Sequence, residues 1–264
     1  ALYKLKPENL SVGTTIFVIG LFKKVVLADG IAAYVSPVFE SAEINTTLTF
    51  FGAWGGALAY TFQLYFDFSG YSDMAIGIAR MFGIILPSNF FSPYKATSII
   101  EFWRRWHMTL SRFFRDYLYI PMGGNRKGSV SSMWNLIVTM LLGGLWHGAS
   151  WTFVIWGGLH GVFLIINHGF RSFRRSLGHD LSKRNILWRG ASWALTFSFV
   201  IFAWAIFRSE SINGAQHMFQ AMLGLNSSLF PKIIDYQFIS FLAFLLFVVL
   251  FMPSTQEFLL EYNP

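Results

Sequence analysis

Residues 141–151, LLGGLWHGASW, decide how this sequence is interpreted, because they place a single histidine, His147, in a long apolar stretch. In a soluble protein such a histidine is usually a satisfied core residue. In a membrane segment an ionisable side chain costs about 3 kcal/mol or more and normally faces a cavity, a partner or a transport path. The role of His147 therefore depends on whether the segment is membranous.

The composition indicates a polytopic membrane protein. Of the 264 residues, 54% are hydrophobic and 12% are charged, and the mean hydropathy is +0.49, whereas soluble domains are about a quarter charged. Several apolar segments approach the ~20 residues that cross a bilayer, and the segments are 11–22, 48–66, 74–86, 133–147, 151–167, 192–207 and 237–252. Glycines and short lengths within them predict tilted, broken or re-entrant helices. The sequence shows neither β-barrel alternation nor an internal repeat, so we predict an all-α fold.

The positive charge is placed as in a membrane protein. Twelve of the twenty Lys and Arg residues lie in 101–127 and 171–189, a pattern typical of cytoplasmic loops and interfacial helices. We therefore expect the lipid bilayer, and no nucleic acid, to be the partner of the +7 net charge. Cysteine is absent, which excludes disulfides, thiolate metal sites and a cysteine nucleophile, and we expect no bound metal or cofactor. The start at Ala1, without methionine or signal peptide, and the stop at Pro264 predict a single domain truncated from a longer chain.

The segment 99–120 predicts one amphipathic helix that lies in the membrane interface. A helical wheel separates an apolar face from a charged face, formed respectively by Ile99, Trp103, Trp106, Leu110, Phe113 and Phe114, and by Glu101, Arg104, Arg105, Arg112, Arg115 and Asp116. His107 falls near the edge of the apolar face. It either packs against tryptophans or faces the same cavity as His147.

The segment 133–167 predicts a broken helical hairpin. If both basic segments are cytoplasmic, the chain between them leaves and re-enters the membrane in about 40 residues, the length of two bilayer-spanning helices. Gly148 then places His147 at a helix break within the bilayer, where freed backbone groups favour a wet pocket.

The chemistry that the residues support is histidine acid–base catalysis. The nucleophile elbow, the P-loop, the dinucleotide glycine fingerprint and His-Glu-x-x-His are all missing. A neutral imidazole can take the proton of a hydroxyl that attacks an activated carbonyl. Asp67 and Asp73 could orient a histidine or bind substrate; the alternatives are a helix-end cap or a partner for Arg80.

Three ordered runs resemble the membrane-bound O-acyltransferases: QLYFDFSGYSDMAIG at 63–77, EFWRRWHMTLS at 101–111 with RDYLYIP and GGNR after it, and LGGLWHGA at 142–149. The branch resembled most is the alginate O-acetyltransferase type, which includes peptidoglycan and cellulose acetylation proteins and, more distantly, teichoic acid D-alanyl transfer. Weaker resemblance extends from about residue 9 to Gln256.

The resemblance implies a polytopic transmembrane helical bundle around a central chamber, with re-entrant and interfacial helices. It implies that His147 is the catalytic histidine and that His107 lines the same chamber, whereas His160 is assigned to packing. Trp146 and Asn125 join Asp67 and Asp73 as candidates for substrate binding. Two further candidates, Arg104 and Arg105, either bind the phosphates of the acyl donor or face lipid headgroups.

The resemblance further implies a multi-pass enzyme of the bacterial cytoplasmic (inner) membrane that moves an acetyl group from a cytoplasmic thioester, acetyl-CoA or a similar donor, toward an exported polysaccharide, with periplasmic or secreted acetyl-transfer partner proteins. Two alternatives stay open. One is D-alanyl or lipid acyl transfer by the same chemistry, and the other is a non-enzymatic transporter.

Overall fold

The all-α prediction is confirmed. The computed structural model describes residues 6–178, 185–225, 228–230 and 235–261, and these contain helices without any strand. The α-helices, numbered in chain order, are α1 (Pro7–Phe22), α2 (Asp29–Glu43), α3 (Phe50–Met81), α4 (Ile99–Arg105), α5 (Met108–Phe114), α6 (Ser129–Trp146), α7 (Trp151–Ser176), α8 (Ile186–Arg208), α9 (Ile212–Met222), α10 (Tyr236–Phe251) and α11 (Thr255–Glu261). Two π-helical segments, Lys23–Ala28 and Arg115–Tyr119, and a short 3₁₀ turn, Pro93–Lys95, complete them.

Four segments are long and apolar enough to cross a membrane. Three of them are helices α6, α7 and α8, and the fourth is Tyr236–Phe258. The fourth begins with α10, breaks at residues 252–254 and continues into α11. Their length and composition agree with the predicted polytopic membrane protein.

The helices form two compact units. Unit 1 combines the described residues up to Ser41, Thr47–Ser92 and those from Ala221 onward, and unit 2 combines Ala42–Thr46 with the described residues of Pro93–Gln220. The predictions that the chain is one membrane-embedded domain and that it is truncated remain predictions.

Close glycine contacts hold α1 against α3 in unit 1. A Cβ added to Gly13 would lie 2.6 Å from the carbonyl oxygen of Gly77, and one added to Gly20 would lie 2.6 Å from that of Gly70. Small residues at these positions allow two backbones to approach closely, as in membrane helix pairs. The sequence separated 48–66 from 74–86, but helix α3 continues from the first run through Met81 of the second. Asp73, the charged residue just before the second run, does not interrupt the helix, because it is buried and bonded to Lys23, Thr255 and Gln256 within unit 1.

The same device joins α6 to α7 in unit 2. A Cβ on Gly144 would clash with the carbonyl oxygen of Phe153, and one on Gly157 would clash with that of Met140. The backbones of the two helices are therefore in contact next to the break between helices that carries His147.

The single helix predicted at 99–120 is wrong as a continuous element. It breaks at Trp106, whose backbone is extended, and His107, whose backbone is left-handed at φ 40° and ψ 56°. The break changes the phase of the helix, so the wheel does not hold beyond it. Before the break, Glu101 of the charged face pairs with Arg105, and its carboxylate also caps α4 by accepting bonds from the amide and hydroxyl of Thr97.

Candidate active site

His147 lies in a short break between two helices. Helix α6 ends at Trp146, the amide of His147 still donates to the carbonyl of Gly144 at 3.0 Å, and Ser150 caps the start of α7. Gly148 makes the turn possible: its φ is +156°, and a Cβ there would lie 2.8 Å from the ring of Phe153. The predicted helix break beside His147 thus lies at residues 147–150.

Aromatic rings enclose the half-buried imidazole of His147. Its centroid lies 5.0 Å from that of Phe207, 5.1 Å from Trp146 and 5.3 Å from Trp156. Within the part of the chain that the structure describes, neither ring nitrogen has a hydrogen-bond partner. The ring is therefore held by apolar packing, and its nitrogens are available to a reacting group.

The structure brings His107 and His147 together in unit 2. The pKa of His107 is lowered to about 4, first because its ring is partly buried and second because of the charge of His147. Such an electrostatic effect requires the two imidazoles to be close. His107 is consequently neutral at pH 7, and it sits at the left-handed position of the break between α4 and α5.

Trp146 and Asn125 lie in different surroundings. Trp146 is 61% exposed and touches both His147 and the ring of Phe114. The side-chain oxygen of Asn125 accepts bonds from the hydroxyls of Tyr119 and Ser132, so it is engaged in its own loop. Trp146 therefore borders the histidine, whereas Asn125 stabilises the turn after the π-helical segment.

The two arginine candidates differ in their partners. Arg105 pairs with Glu101 one turn earlier at 2.8 Å. Arg104 is exposed and has no carboxylate partner among the residues with assigned positions. Of the two, Arg104 is the cation free to meet an anionic group.

Asp73 is occupied by partners within unit 1. Its carboxylate is fully buried and accepts bonds from the ammonium of Lys23 at 2.6 Å, the hydroxyl of Thr255 at 2.7 Å and the amide of Gln256 at 2.6 Å. It is not a helix-end cap, because it lies inside α3, and its partners are Lys23, Thr255 and Gln256, not Arg80. This arrangement indicates that Asp73 ties three parts of unit 1 together.

Asp67, also in α3, forms a more exposed ion pair with Lys24 of the π-helical segment Lys23–Ala28, at 2.7 Å. Like Asp73 it belongs to unit 1, whereas both candidate catalytic histidines belong to unit 2. The described residues contain no group of three or more His, Asp or Glu side chains arranged to hold a metal ion.

Sequence reasoning missed the aromatic residues that support the histidines. Trp156 contacts His147 and is itself buried, and the fully buried His160 accepts a hydrogen bond from the indole of Trp103 at 3.2 Å. The signal available in the sequence was the spacing of Trp156 and His160, four residues apart on one face of a helix. The hydrogen bond between Trp103 and His160 joins residues 57 positions apart in the sequence, and no local sequence pattern predicts it.

The chain is similar to known proteins over most of its length. Residues 2–207 match the model of the membrane-bound O-acyltransferase family. The peptidoglycan O-acetyltransferase of Helicobacter pylori is 50% identical over 84% of this chain and 40% of its own length, and the probable alginate O-acetylase AlgI of Pseudomonas putida is 48% identical over 81% and 42%. A teichoic acid D-alanyltransferase of Streptococcus thermophilus is 31% identical over 64% and 42%. The chain thus spans about two-fifths of the length of these relatives.

Proposed function

The chain belongs to the membrane-bound O-acyltransferase family, and we propose that the complete protein transfers an acetyl group from a cytoplasmic thioester donor toward hydroxyls of an exported polysaccharide. Two of the relatives, at 48–50% identity, are named for O-acetyl transfer, whereas the relative named for D-alanyl transfer is 31% identical. This difference favours acetyl over D-alanyl. The membrane is the bacterial cytoplasmic membrane, and periplasmic or secreted partner proteins complete delivery to the polymer.

The observation that carries the proposal is that two helix breaks, each with a histidine, lie in unit 2, near enough for the charge of His147 to lower the pKa of His107. A break allows an imidazole to stand free of the helical backbone while the surrounding helices fix its position. Neither ring nitrogen of His147 has a hydrogen-bond partner among the described residues, and aromatic rings surround the imidazole. A neutral imidazole in such surroundings is suited to act as a general base.

In the proposed reaction His147 takes the proton of an acceptor hydroxyl while the hydroxyl oxygen attacks the acetyl carbonyl carbon. The new carbon–oxygen bond forms, the carbon–sulfur bond of the thioester breaks, and the sulfur leaves with the electron pair. His147 then returns its proton to the thiolate, so the enzyme ends the cycle unchanged. Such proton transfer contributes about 10²–10⁴-fold to a rate.

His107 supports this chemistry as a neutral neighbour. Because its pKa is about 4, it carries no charge at pH 7 and does not oppose the positive charge that His147 gains during the reaction. It can hold the donor carbonyl or the acceptor hydroxyl through a hydrogen bond. Arg104, exposed at the end of α4, is the candidate contact for the phosphates of acetyl-CoA.

The test compares the complete parent protein with His147→Ala in membranes that contain its partners and acetyl-CoA, at matched protein levels. Acetyl ester on the polymer should fall to the background. A matched control is His217→Gln, which alters a histidine of unit 2 that bonds to the carbonyl of Ala42 and should leave transfer intact. Undiminished acetylation by His147→Ala would refute the proposed base.

A further inference from the structure

We infer that His160 is a positioning residue that holds the two candidate catalytic histidines in their relative places, through Trp103 on one side and Trp156 on the other. The inference rests on the proposed function of His147 and His107. It gives a role in the reaction to a histidine that the sequence alone assigns to packing.

The first link joins His160 to α4. Its Nδ1 accepts the indole N–H of Trp103 at 3.2 Å, so in the neutral ring the proton is assigned to Nε2. A protonated ring would present a second donor to Trp103 and break the bond. His160 therefore acts as a neutral acceptor that anchors α4 to α7.

Trp103 lies four residues before His107, directly ahead of the break. The left-handed backbone at His107 has no side-chain cap of its own, so packing must fix where the chain turns. Trp106 is buried at the break, and Trp103 is bound to His160. Releasing Trp103 would free the last turn of α4 and with it the position of His107.

The second link runs through Trp156 to His147. The indole of Trp156 lies one helical turn before His160, with ring centroids 4.9 Å apart, and 5.3 Å from His147 at an interplanar angle of 88°. It also lies 5.9 Å from Trp103. His160, Trp103 and Trp156 thus form one packed group that touches both sides of the candidate site.

The buried polar nitrogens around His160 do not stabilise the folded protein. His160 is 0% exposed and its Nε2 has no partner among the described residues, and the same holds for the indole nitrogens of Trp156 and Trp204. A buried polar atom without a partner destabilises the folded state. An apolar side chain at 160 would avoid that cost but would leave the indole N–H of Trp103 without its acceptor, so the imidazole points to a requirement for its acceptor nitrogen.

The experiment measures kcat and KM for acetyl-CoA, with the complete protein in membranes and polymer acetyl ester as the product. His160→Leu removes the acceptor, Trp103→Phe removes the donor, and His160→Asn keeps an oxygen near the place of Nδ1. The matched control is Trp54→Phe, which removes an indole hydrogen bond of 2.9 Å to the carbonyl of Met222 in unit 1.

We expect His160→Leu and Trp103→Phe to lower kcat per folded molecule about 10- to 100-fold with KM unchanged, because small misplacements of reacting groups have effects of that size. The double variant should be no worse than either single variant, since both break the same bond. His160→Asn should recover part of kcat, and Trp54→Phe should match the parent.

Normal kcat per folded molecule in His160→Leu would overturn the inference, as would equal losses in Trp54→Phe. The result for His147→Ala separates the two proposals. If His147→Ala is inactive and His160→Leu is active, only the positioning role fails. If His147→Ala stays active, the proposed function itself fails.

Discussion

Replacing Asp73 by alanine should destabilise the protein far more than replacing Asp67, although both carboxylates belong to α3 and both pair with a lysine. The side chains of Lys23 and Asp73 are 12% and 1% exposed, whereas those of Lys24 and Asp67 are 38% and 45% exposed. Asp73→Ala leaves the ammonium of Lys23 buried with only the hydroxyl of Thr255 as a partner. Removing one member of a buried pair costs about 3–5 kcal/mol, and an exposed pair contributes about 0–1 kcal/mol.

The assay is denaturant unfolding of the purified complete protein in mild detergent, which gives the free energy of unfolding of each variant. Replacing both partners, as in Lys23→Met with Asp73→Leu, should recover most of the loss, because no charge is then left unpaired. Equal effects of Asp73→Ala and Asp67→Ala would refute this account of the Lys23–Asp73 pair. Loss of acetyl transfer by stably folded Asp73→Ala would instead assign the carboxylate to substrate.

Three further predictions concern unit 2. The pKa of His107 is 6.5 in the unfolded chain and about 4 in the folded protein. Because the unfolded chain therefore binds the proton first, the free energy of unfolding should decrease as the pH falls from 6.5 to 4. His107→Gln should flatten the pH dependence of the melting temperature over this range. Gly144→Ala should destabilise the protein by about 3 kcal/mol in denaturant unfolding, because the new Cβ meets a backbone oxygen, whereas Gly169→Ala, which enters open space, should be neutral or stabilise by up to about 1 kcal/mol. Arg104→Ala should raise KM for acetyl-CoA several-fold if Arg104 binds its phosphates, and Arg105→Ala should change KM less; equal KM values would place both arginines outside the donor site.

The hairpin of α6 and α7 could be predicted because its signals are local. Two long apolar runs flank Gly148, and the glycine both ends the first helix and permits the turn. The prediction that 48–66 and 74–86 are separate segments failed because the contacts that keep α3 continuous are distant in the sequence. Asp73 interrupts the hydropathy, but its partners Thr255 and Gln256 lie more than 180 residues away in the sequence. A polar residue that is satisfied by distant partners does not break a helix.

The candidate site divides in the same way. His147 and His107 could be found because each lies in a recognisable motif, but their support could not be predicted. The bond between Trp103 and His160 is a tertiary contact, and it forms only once α4 and α7 are packed together. Asn125 and Arg105 stand in the same motifs, yet the structure engages each with neighbours in its own segment. Motif membership therefore identified candidate residues without separating those that are free to react from those that are bonded within their own segment.

The two helix breaks solve the same problem differently, and the difference bears on His107. At the break between α6 and α7 the unusual backbone angle falls on Gly148, so His147 keeps an ordinary helical conformation. At the break between α4 and α5, His107 itself adopts φ 40°. A residue other than glycine is strained by about 1–3 kcal/mol in that region. Glycine would meet the backbone requirement at lower cost. The left-handed angle explains why α4 ends there, but it does not explain why the residue is a histidine, and the proposed role of the His107 ring in the transfer supplies that reason.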